Sequence, residues 1–377
     1  MNQYITLYHL IFIVKIKNNM RVCIIGSGLS ALTLAKALVN ENVYVDIEIS
    51  DNSHTINKSR TIGISKSNFE FINNKIINIE KIIWKLKRIE IFTDNLKKDK
   101  ILNFENNNDQ LFSIIKNVEF YKILNKSLFK SKLCKKIKSK KKISDYKNYD
   151  LIIITNYNNF LTKKYFNKNI KKTYNSKAYT TIINHKKITN NVAVQIFTKK
   201  GPIAFLPISN NKTSIVYSIH NLENKKENNV IDLIHNYNFK YKINKIQNIE
   251  SFDLKSINLR SYYYDNILAF GDLIHRIHPL AGQGFNMTIR DTRVLLTLIK
   301  EKLDLGLVLD SSISSNFDKV LRHKNYIFSN GIDLIHNFFN LERKFNSSVL
   351  SKSVQLIGKN PSINKMLIKI ADKGINI

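Results

Sequence analysis

The sequence predicts an α/β protein in which a parallel sheet is interrupted by an inserted, mostly antiparallel sheet and followed by C-terminal helices. Three observations predict this fold. The 377 residues, 43% of them hydrophobic, are enough for one large or two interlocked domains. A strand-like apolar run, a glycine turn and a helical pattern follow one another from Met20 onward. A second glycine turn follows another apolar run near residue 270.

The first glycine turn lies in "MRVCIIGSGLSALTLAKALVNENVYVDIEIS" (20–50). Val22–Ile25 is typical of a buried parallel strand, and the apolar spacing after the turn predicts a helix and then a second strand over 43–49. This order is that of a dinucleotide-binding, Rossmann-like fold: the glycines let backbone approach a pyrophosphate, and the helix N-terminus presents free N–H groups. A carboxylate about 20 residues onward is expected to bind the adenosine ribose, and Glu48 fits that distance.

The second glycine turn lies in "GDLIHRIHPLAGQGFNMTIRD" (271–291), after a strand predicted over 265–270. Pro279–Gly284 predicts a tight turn, and the apolar spacing from Phe285 onward predicts a helix. A second helix N-terminus would therefore face the ligand and favour negative charge there. Asp272, His275 and His278 also have a spacing suited to metal ligands, but that hypothesis leaves the turn unexplained, and we predict no metal site.

Four segments together resemble the FAD-dependent aromatic hydroxylases, whose fold is that of p-hydroxybenzoate hydroxylase. They are Gly26-x-Gly28-x-x-Ala31, "RTIGIS" (60–65), Gly271-Asp272 with "HPLAGQGFNMTIRD" (278–291), and "VQIFTKKGPIAFLPISNNKTSIVYSI" (194–219). The likeness is closest to the ubiquinone-biosynthesis flavin monooxygenases, which hydroxylate substrates such as 2-octaprenylphenol or 2-octaprenyl-6-methoxyphenol.

The resemblance implies a role for each matching residue. The FAD pyrophosphate would lie on Gly26, Ser27, Gly28, Leu29, Ser30 and Ala31, with the adenosine ribose on Glu48. Arg60 would lie beside the cofactor and Asp272 on its ribityl chain. The flavin ring would meet Pro279, Gly282, Gln283, Gly284, Phe285 and Asn286, of which Pro279, Gly282 and Gln283 are the candidates nearest to the chemistry. Phe205 and Pro207 would face the substrate. No individual catalytic side chain is predicted.

The implied reaction is hydroxylation of the aromatic ring of a polyprenylated phenol in ubiquinone biosynthesis. NAD(P)H would reduce FAD, O2 would form a C4a-hydroperoxide, and the protein would position the ring and exclude water. Two alternatives stay open. One is a flavin monooxygenase of a soluble aromatic compound. The other is a catalytically degenerate FAD-binding subunit of a quinone-biosynthesis assembly.

The second alternative is motivated by one departure from the family pattern. An Asp-Gly is expected after the strand at 149–155, and the sequence has "NYNNFLTKKYF" there instead. The remaining chain divides into an FAD-binding domain over 20–171 and 246–325, a substrate-domain sheet over 172–245 and a helical region over 326–377. Part of 60–120 is expected to join the substrate sheet.

The net charge of +31 is spread along the chain, so we attribute it to composition rather than to one binding module. The lysine-rich segment 126–150 contains no arginine, and we predict no nucleic-acid partner. The two cysteines predict neither a disulfide framework nor a zinc site, which favours a cytoplasmic protein. The amphipathic segment 361–374 leaves peripheral contact with the inner face of the cytoplasmic membrane open. Residues 1–19 are interpreted as an extension or a misplaced start.

Overall fold

The structure is a computed structural model that describes residues 20–49, 58–96, 99–105, 109–220, 227–279, 282–345 and 349–375. The interpretation of residues 1–19 therefore lies outside the described residues. The strands are β1 Arg21–Ile25, β2 Tyr44–Ile49, β3 Thr61–Ser65, β4 Ile83–Leu86, β5 Arg88–Thr93, β6 Lys100–Glu105, β7 Phe112–Lys116, β8 Cys134–Lys138, β9 Leu151–Ile154, β10 Asn169–His185, β11 Val192–Thr198, β12 Gly201–Ser209, β13 Lys212–His220, β14 Ile243–Ile246, β15 Glu250–Leu259, β16 Tyr263–Tyr264, β17 Ile267–Ala269 and β18 His275–Arg276. The helices are α1 Leu29–Asn40, α2 Lys66–Phe71, α3 Asn117–Leu128, α4 Phe160–Tyr165, α5 Glu227–Tyr237, α6 Gln283–Asp304, α7 Ser311–Phe345, α8 Val349–Gly358 and α9 Pro361–Lys373.

A six-stranded sheet carries the first glycine turn. Its strand order is β16-β17-β9-β1-β2-β8, and every pairing except β16 with β17 is parallel. The central strands are continuous apolar runs because helices cover both faces of a parallel sheet. Along α1, the apolar residues from Ala31 to Val39 are buried. The predicted α/β architecture is confirmed.

A larger sheet of nine strands contains the segment expected to face the substrate. Its order is β18-β15-β10-β13-β12-β11-β5-β6, with β14 paired to β10, and all pairings are antiparallel except that of β11 with β5. Strands β5 and β6 lie between residues 60 and 120 and pair at its far edge. Side chains alternate between its faces. One face packs on α5 through Ile203, Phe205 and Ile215, while the other carries Leu206 and Ile208.

A small third sheet, β3-β7-β4, joins these two sheets. On β3, the Thr61 hydroxyl donates to the Ser214 hydroxyl of the large sheet at 2.9 Å. The strand therefore lies between the glycine turns and the large sheet.

The lysine-rich segment contributes more than a solvated surface. Its lysines from 135 to 138 are exposed, yet β8 forms the edge of the parallel sheet, pairing with β2. Tyr146 and Tyr149 are buried, and their hydroxyls donate to Glu48 and Asp46 at 2.5 and 2.7 Å. The lysine-rich composition of the segment gave no indication that these two aromatic residues are buried.

Candidate functional site

The N-terminus of α1 is open at the first glycine turn. Gly28 is the N-cap and has no side chain with which to accept from the first-turn N–H groups. A methyl group placed on Gly28 would meet no atom of the described residues within 4 Å. Ser27, Leu29 and Ser30 are half-buried around it, and Ala31 is fully buried against the sheet. The turn thus offers unpaired backbone donors and the positive end of a helix dipole to an anion.

The first glycine turn meets Gly271, the residue that opens the second glycine-containing segment. Gly271 has φ +67°, and a Cβ at this position would lie 2.8 Å from Cβ and 2.9 Å from Oγ of Ser30. Only glycine combines this left-handed backbone with so close an approach. The end of β17 is thereby held directly against the start of α1. This convergence places the predicted pyrophosphate and ribityl contacts at one edge of the parallel sheet.

The N-terminus of α6 is a second uncapped helix end. Its N-cap, Gly282, has φ +62°, and a Cβ there would lie 3.5 Å from the Cα and N of Gly63 on β3. Gln283 is buried, and its side-chain Oε1 has no hydrogen-bond partner within the part of the chain that the structure describes. A buried acceptor without a donor is costly, which marks this position as one where a ligand donor would fit.

Asn286 fastens this helix end to β3. Its Oδ1 accepts from the backbone N–H of Ser65 and from Nδ2 of Asn68, both at 3.0 Å. Its Nδ2 donates to the carbonyl oxygens of Gly63 and Gly282 at 3.0 and 3.1 Å. The side chain is fully buried, and its amide is satisfied by protein groups. Asn286 therefore positions the turn, and a direct contact between it and the cofactor stays a prediction.

Glu48 lies at the predicted end of β2, and its carboxylate is enclosed by protein groups. Tyr146 donates to Oε2 at 2.5 Å and Ser139 donates to Oε1 at 3.2 Å. Burial raises the pKa of Glu48, and the hydrogen bonds from Tyr146 and Ser139 partly offset that rise. Its backbone carbonyl accepts from the N–H of Gly26 at 3.0 Å, so the residue adjoins the glycine turn. A ribose contact stays a prediction.

The remaining cofactor candidates differ in burial and surroundings. Asp272 follows Gly271 and is exposed, as is Arg60 at the start of β3. Pro279 is half-buried, and the two residues after it lie outside the described part of the chain. Phe285 packs edge-to-face on Phe120 with ring centroids 6.0 Å apart. A cofactor contact of these residues stays a prediction.

Phe205 and Pro207 are not brought to this edge. The Phe205 ring is buried between the large sheet and α5, with its centroid 6.0 Å from that of Tyr241. Pro207 is buried on the same strand, two residues further and so on the same face. The face toward β3 is the opposite one, where Ser214 accepts from Thr61. A substrate role for Phe205 and Pro207 stays a prediction, without a contact to the glycine turns.

The segment that follows β9 lies beside Gly26 and contains no Asp-Gly. The Thr155 hydroxyl donates to the carbonyl of Ile25 at 3.2 Å, and it would lie 2.3 Å from a Cβ on Gly26. Asn159 then caps α4 by accepting from the N–H of Leu161 at 2.9 Å. Lys163 and Lys164 are exposed on α4. The turn is thus built from polar and lysine side chains rather than from a carboxylate and a glycine.

The histidines of the second motif have different surroundings. His275 and Asp291 form a fully buried pair, and Asp291 also accepts from Asn325 of α7 at 3.0 Å. His278 lies among aromatic rings. Among the described residues, no group of three His, Cys, Asp or Glu side chains is arranged to hold a metal ion.

Sequence reasoning missed several residues that build the site. Asn68 and Tyr146 hold Asn286 and Glu48, and Tyr174 and His336 surround His278. Each of these residues is distant in sequence from its partner, so no local sequence pattern predicts the contact. For Tyr146, the sequence feature that could have predicted its role is the presence of aromatic residues inside the lysine-rich segment, which the structure shows to be buried.

The residues present fit an FAD molecule. Two helix N-termini lack a side-chain cap, the space at Gly28 is open, and the buried Oε1 of Gln283 has no hydrogen-bond partner among the described residues. The first helix end suits a pyrophosphate. The second suits a ring system that gains negative charge on reduction.

Comparison with known proteins supports this fit. A family profile described as "FAD binding domain" matches residues 171–304. The ubiquinone biosynthesis monooxygenase COQ6 of Schizosaccharomyces pombe is 28% identical over 130 residues, which cover 33% of this chain and 26% of that protein. COQ6 of Drosophila melanogaster is 21% identical over 425 residues, covering 91% of this chain and 88% of that protein. The chain thus covers about a quarter of the first relative and most of the second.

The fold is also that of a solved monooxygenase. The crystal structure of p-nitrophenol 4-monooxygenase PnpA from Pseudomonas putida DLL-E4 has a TM-score of 0.74 and covers 95% of this chain and 100% of its own, at 10% sequence identity. At that identity the likeness concerns the fold alone. The resemblance to the FAD-dependent aromatic hydroxylases and their ubiquinone branch is confirmed, and the chain contains an FAD-binding domain.

Proposed function

We propose, starting from an FAD-binding domain shared with ubiquinone-biosynthesis monooxygenases, that this protein is an FAD-dependent monooxygenase. Its substrate would be a polyprenylated phenol of the ubiquinone pathway, hydroxylated on its aromatic ring. The observation that carries the proposal is the contact of Gly271 with Ser30, because it brings the end of β17, with Asp272, against the start of α1. The relatives named as ubiquinone monooxygenases support the substrate class.

Bound FAD would take electrons from NAD(P)H and, once reduced, would supply the oxygen chemistry. The chain's own groups bind and orient. First-turn N–H groups of α1 would hold the pyrophosphate, while Asp272 would accept from the polyol hydroxyls. The N-terminus of α6 would stabilise negative charge on the reduced ring, and Asn286 keeps that helix end against β3. The large sheet, whose Ser214 contacts Thr61 of β3, would help to exclude water from the site.

The direct test is reconstitution of the full chain with FAD, followed by NADH or NADPH oxidation with three additions. A prenylated phenol, a short soluble phenol and buffer alone distinguish the hypotheses. We expect a yellow protein whose oxygen-dependent oxidation of the nicotinamide is stimulated by the prenylated phenol and yields a hydroxylated ring. Stimulation by the short phenol alone would favour the soluble-aromatic alternative. A colourless protein that FAD cannot load would contradict the proposal.

A second candidate function is a flavin-binding subunit without turnover. It is favoured by the Thr155–Asn159 turn, which stands where an Asp-Gly is expected. The same reconstitution separates this alternative from the enzyme. Flavin that binds but stays oxidised with either nicotinamide, while dithionite reduces it, would identify the subunit. Reduction by NADH or NADPH would exclude it.

Contact with a membrane surface is the finer part of the proposal, because a polyprenylated substrate resides in lipid. Among the described helices, none combines the length and apolar character needed to cross a bilayer. Helices α8 and α9 expose apolar side chains, including Leu356, Ile357 and Met366, beside the exposed Lys352 and Lys365. Apolar residues next to lysines suit an anionic lipid surface.

A further inference from the structure

Helix α7 leaves a row of apolar side chains exposed along one face. The exposed fractions are 40, 44, 69 and 49% for Val320, Ile327, Leu334 and Leu341. These residues follow one another at intervals of seven, which is about two helical turns, so they lie in line along the helix. We call these four residues the apolar row. The opposite face packs into the protein through buried residues that include Phe317, Leu321, Phe328 and Ile332.

The apolar row lies in a stretch with almost no charge, although the protein is strongly basic. The chain has 60 lysines and arginines and a net charge of +31, yet residues 325–341 contain no lysine or arginine. Their single carboxylate, Asp333, is buried and paired with Lys172 at 2.8 Å. Two copies of so basic a chain repel each other, and a face without lysines lets them approach at a lower electrostatic cost. An anionic lipid surface would instead favour lysines beside the apolar residues.

The spacing of the apolar row makes it complementary to a second copy of itself. When two α7 helices run antiparallel, Val320 of one copy lies opposite Leu341 of the other, and Ile327 lies opposite Leu334. The same pairs repeat across a twofold axis, which is the symmetry of most homodimers. Lys324, which lies beside the row, then faces an asparagine of the second copy rather than another lysine. A regular seven-residue spacing keeps such a row against its partner over its full length.

Gly331 lies at the centre of the apolar row, where the single chain has no need of a glycine. It is exposed in the interior of α7, and a Cβ placed on it would meet no atom from the rest of the described chain within 4 Å. A glycine in a helix interior costs about 1 kcal/mol relative to alanine. In the antiparallel pair this position lies opposite Asn330 of the second copy, where the missing side chain lets the two helix backbones approach closely.

We propose that two copies of this chain associate through the apolar row, with their α7 helices antiparallel about a twofold axis between Asn330 and Gly331. The row is about 32 Å long at about 1.5 Å per residue, and a helix is about 10 Å wide. This face is smaller than the ~800 Å² that each partner buries in a standard interface, so the dissociation constant should be micromolar. The inference goes beyond the proposed function and does not depend on flavin binding.

Sedimentation of the full chain between about 1 and 100 μM measures the association. Ile327→Glu combined with Leu334→Glu places like charges opposite each other, and it should raise the dissociation constant at least about tenfold. Leu305→Glu combined with Val308→Glu adds the same charge at exposed apolar positions between α6 and α7. This matched control should dimerise like wild type. Urea unfolding verifies that both double variants are folded.

Two further measurements examine the forces and the orientation. Salt should tighten the wild-type dimer, because it screens the repulsion between two basic chains. Val320→Cys and Leu341→Cys proteins are also mixed and oxidised with diamide, which the buried Cys23 and Cys134 should not disturb. Antiparallel helices should give disulfides chiefly between the two variants, whereas parallel helices would give them within each variant.

A wild-type chain that stays monomeric at about 100 μM would overturn the inference, as would a dimer that Ile327→Glu with Leu334→Glu leaves intact. Equal loss of dimer in the Leu305→Glu and Val308→Glu control would do the same, because added charge rather than the apolar row would then govern association. Disulfides within each variant would exclude the antiparallel pair. If wild type were monomeric and Ile327→Glu with Leu334→Glu abolished vesicle binding, a lipid surface would cover the row instead.

Discussion

Gly271 and Gly28 differ in whether the folded protein has room for a side chain, and substitution with alanine tests this difference. Gly271→Ala places a methyl group on Ser30 at a left-handed φ, so it should lower the free energy of unfolding by about 2 kcal/mol or more. Gly28 has φ −76° and ψ 176°, which any residue adopts, and its Cβ position is open. Gly28→Ala should therefore cost about 1 kcal/mol or less. It should nevertheless weaken FAD binding at least tenfold, because the methyl group would occupy the proposed pyrophosphate position.

Urea unfolding and flavin-fluorescence titration of the two variants measure both effects. A Gly28→Ala protein that binds FAD as tightly as wild type would remove the pyrophosphate from this turn. A Gly271→Ala protein of wild-type stability would show that the contact with Ser30 is not close in solution.

Glu48 is a buried carboxylate whose pKa is raised, and this determines whether its contribution to stability rises or falls with pH. The folded state holds the proton more tightly than the unfolded state, so burial of Glu48 costs stability as pH rises through its folded pKa. Glu48→Gln keeps an acceptor for Tyr146 and removes the ionisation. The stability of the variant relative to wild type should therefore increase from pH 4.5 to 7.5 in FAD-free protein.

Urea unfolding at several pH values measures this difference. Glu301→Gln, an exposed substitution on α6, is the control and should show a flat difference across the same range. A flat difference for Glu48→Gln as well would mean that the carboxylate is solvated.

Two elements, α6 and β3, depend on one amide for their alignment. Asn286→Ala leaves the Ser65 N–H, the Gly63 carbonyl and the Asn68 amide without that partner in a buried region. The expected loss of unfolding free energy is about 3 kcal/mol, from unpaired groups costing about 1–3 kcal/mol each. Thr297→Ala on the exposed side of α6 should change it by less than about 0.5 kcal/mol. Equal effects of the two substitutions in urea unfolding would contradict this role of Asn286.

Elements with a strong local pattern could be predicted from the sequence. Strands β1 and β2 lie within one residue of their expected bounds, because buried parallel strands are continuous apolar runs. Helix α6 begins at Gln283, two residues before the predicted Phe285. Strand β8 was missed, since its "CKKIK" sequence suggests a solvated loop and only pairing with β2 orders it.

The whole molecule has a net charge of +31, and the proposed membrane contact should depend on it. Cosedimentation with vesicles of phosphatidylglycerol and phosphatidylcholine should exceed that with phosphatidylcholine alone, and salt should weaken it because exposed charges are screened within about 10 Å at 0.1 M. Leu356→Ser combined with Ile357→Ser should reduce binding several-fold. Leu305→Ser, an equally exposed change at the end of α6, should not.

Equal loss from Leu305→Ser would indicate nonspecific attraction of a basic protein. If the protein bound neutral and anionic vesicles equally and salt did not weaken this binding, the lipid contact would not depend on the net charge of the chain.

The contact between Ser30 and Gly271 brings together residues separated by most of the polypeptide, which has a consequence for synthesis. While the ribosome is still translating the first two thirds of the protein, Gly271 has not yet been made, so the N-terminal turn lacks the residue that packs against Ser30. The nucleotide can then be captured only near the completion of translation, after slow long-range closure. Cellular flavin supply should consequently govern how much of the newly made protein survives proteolysis, since a ligand that binds only the closed form stabilises it by mass action.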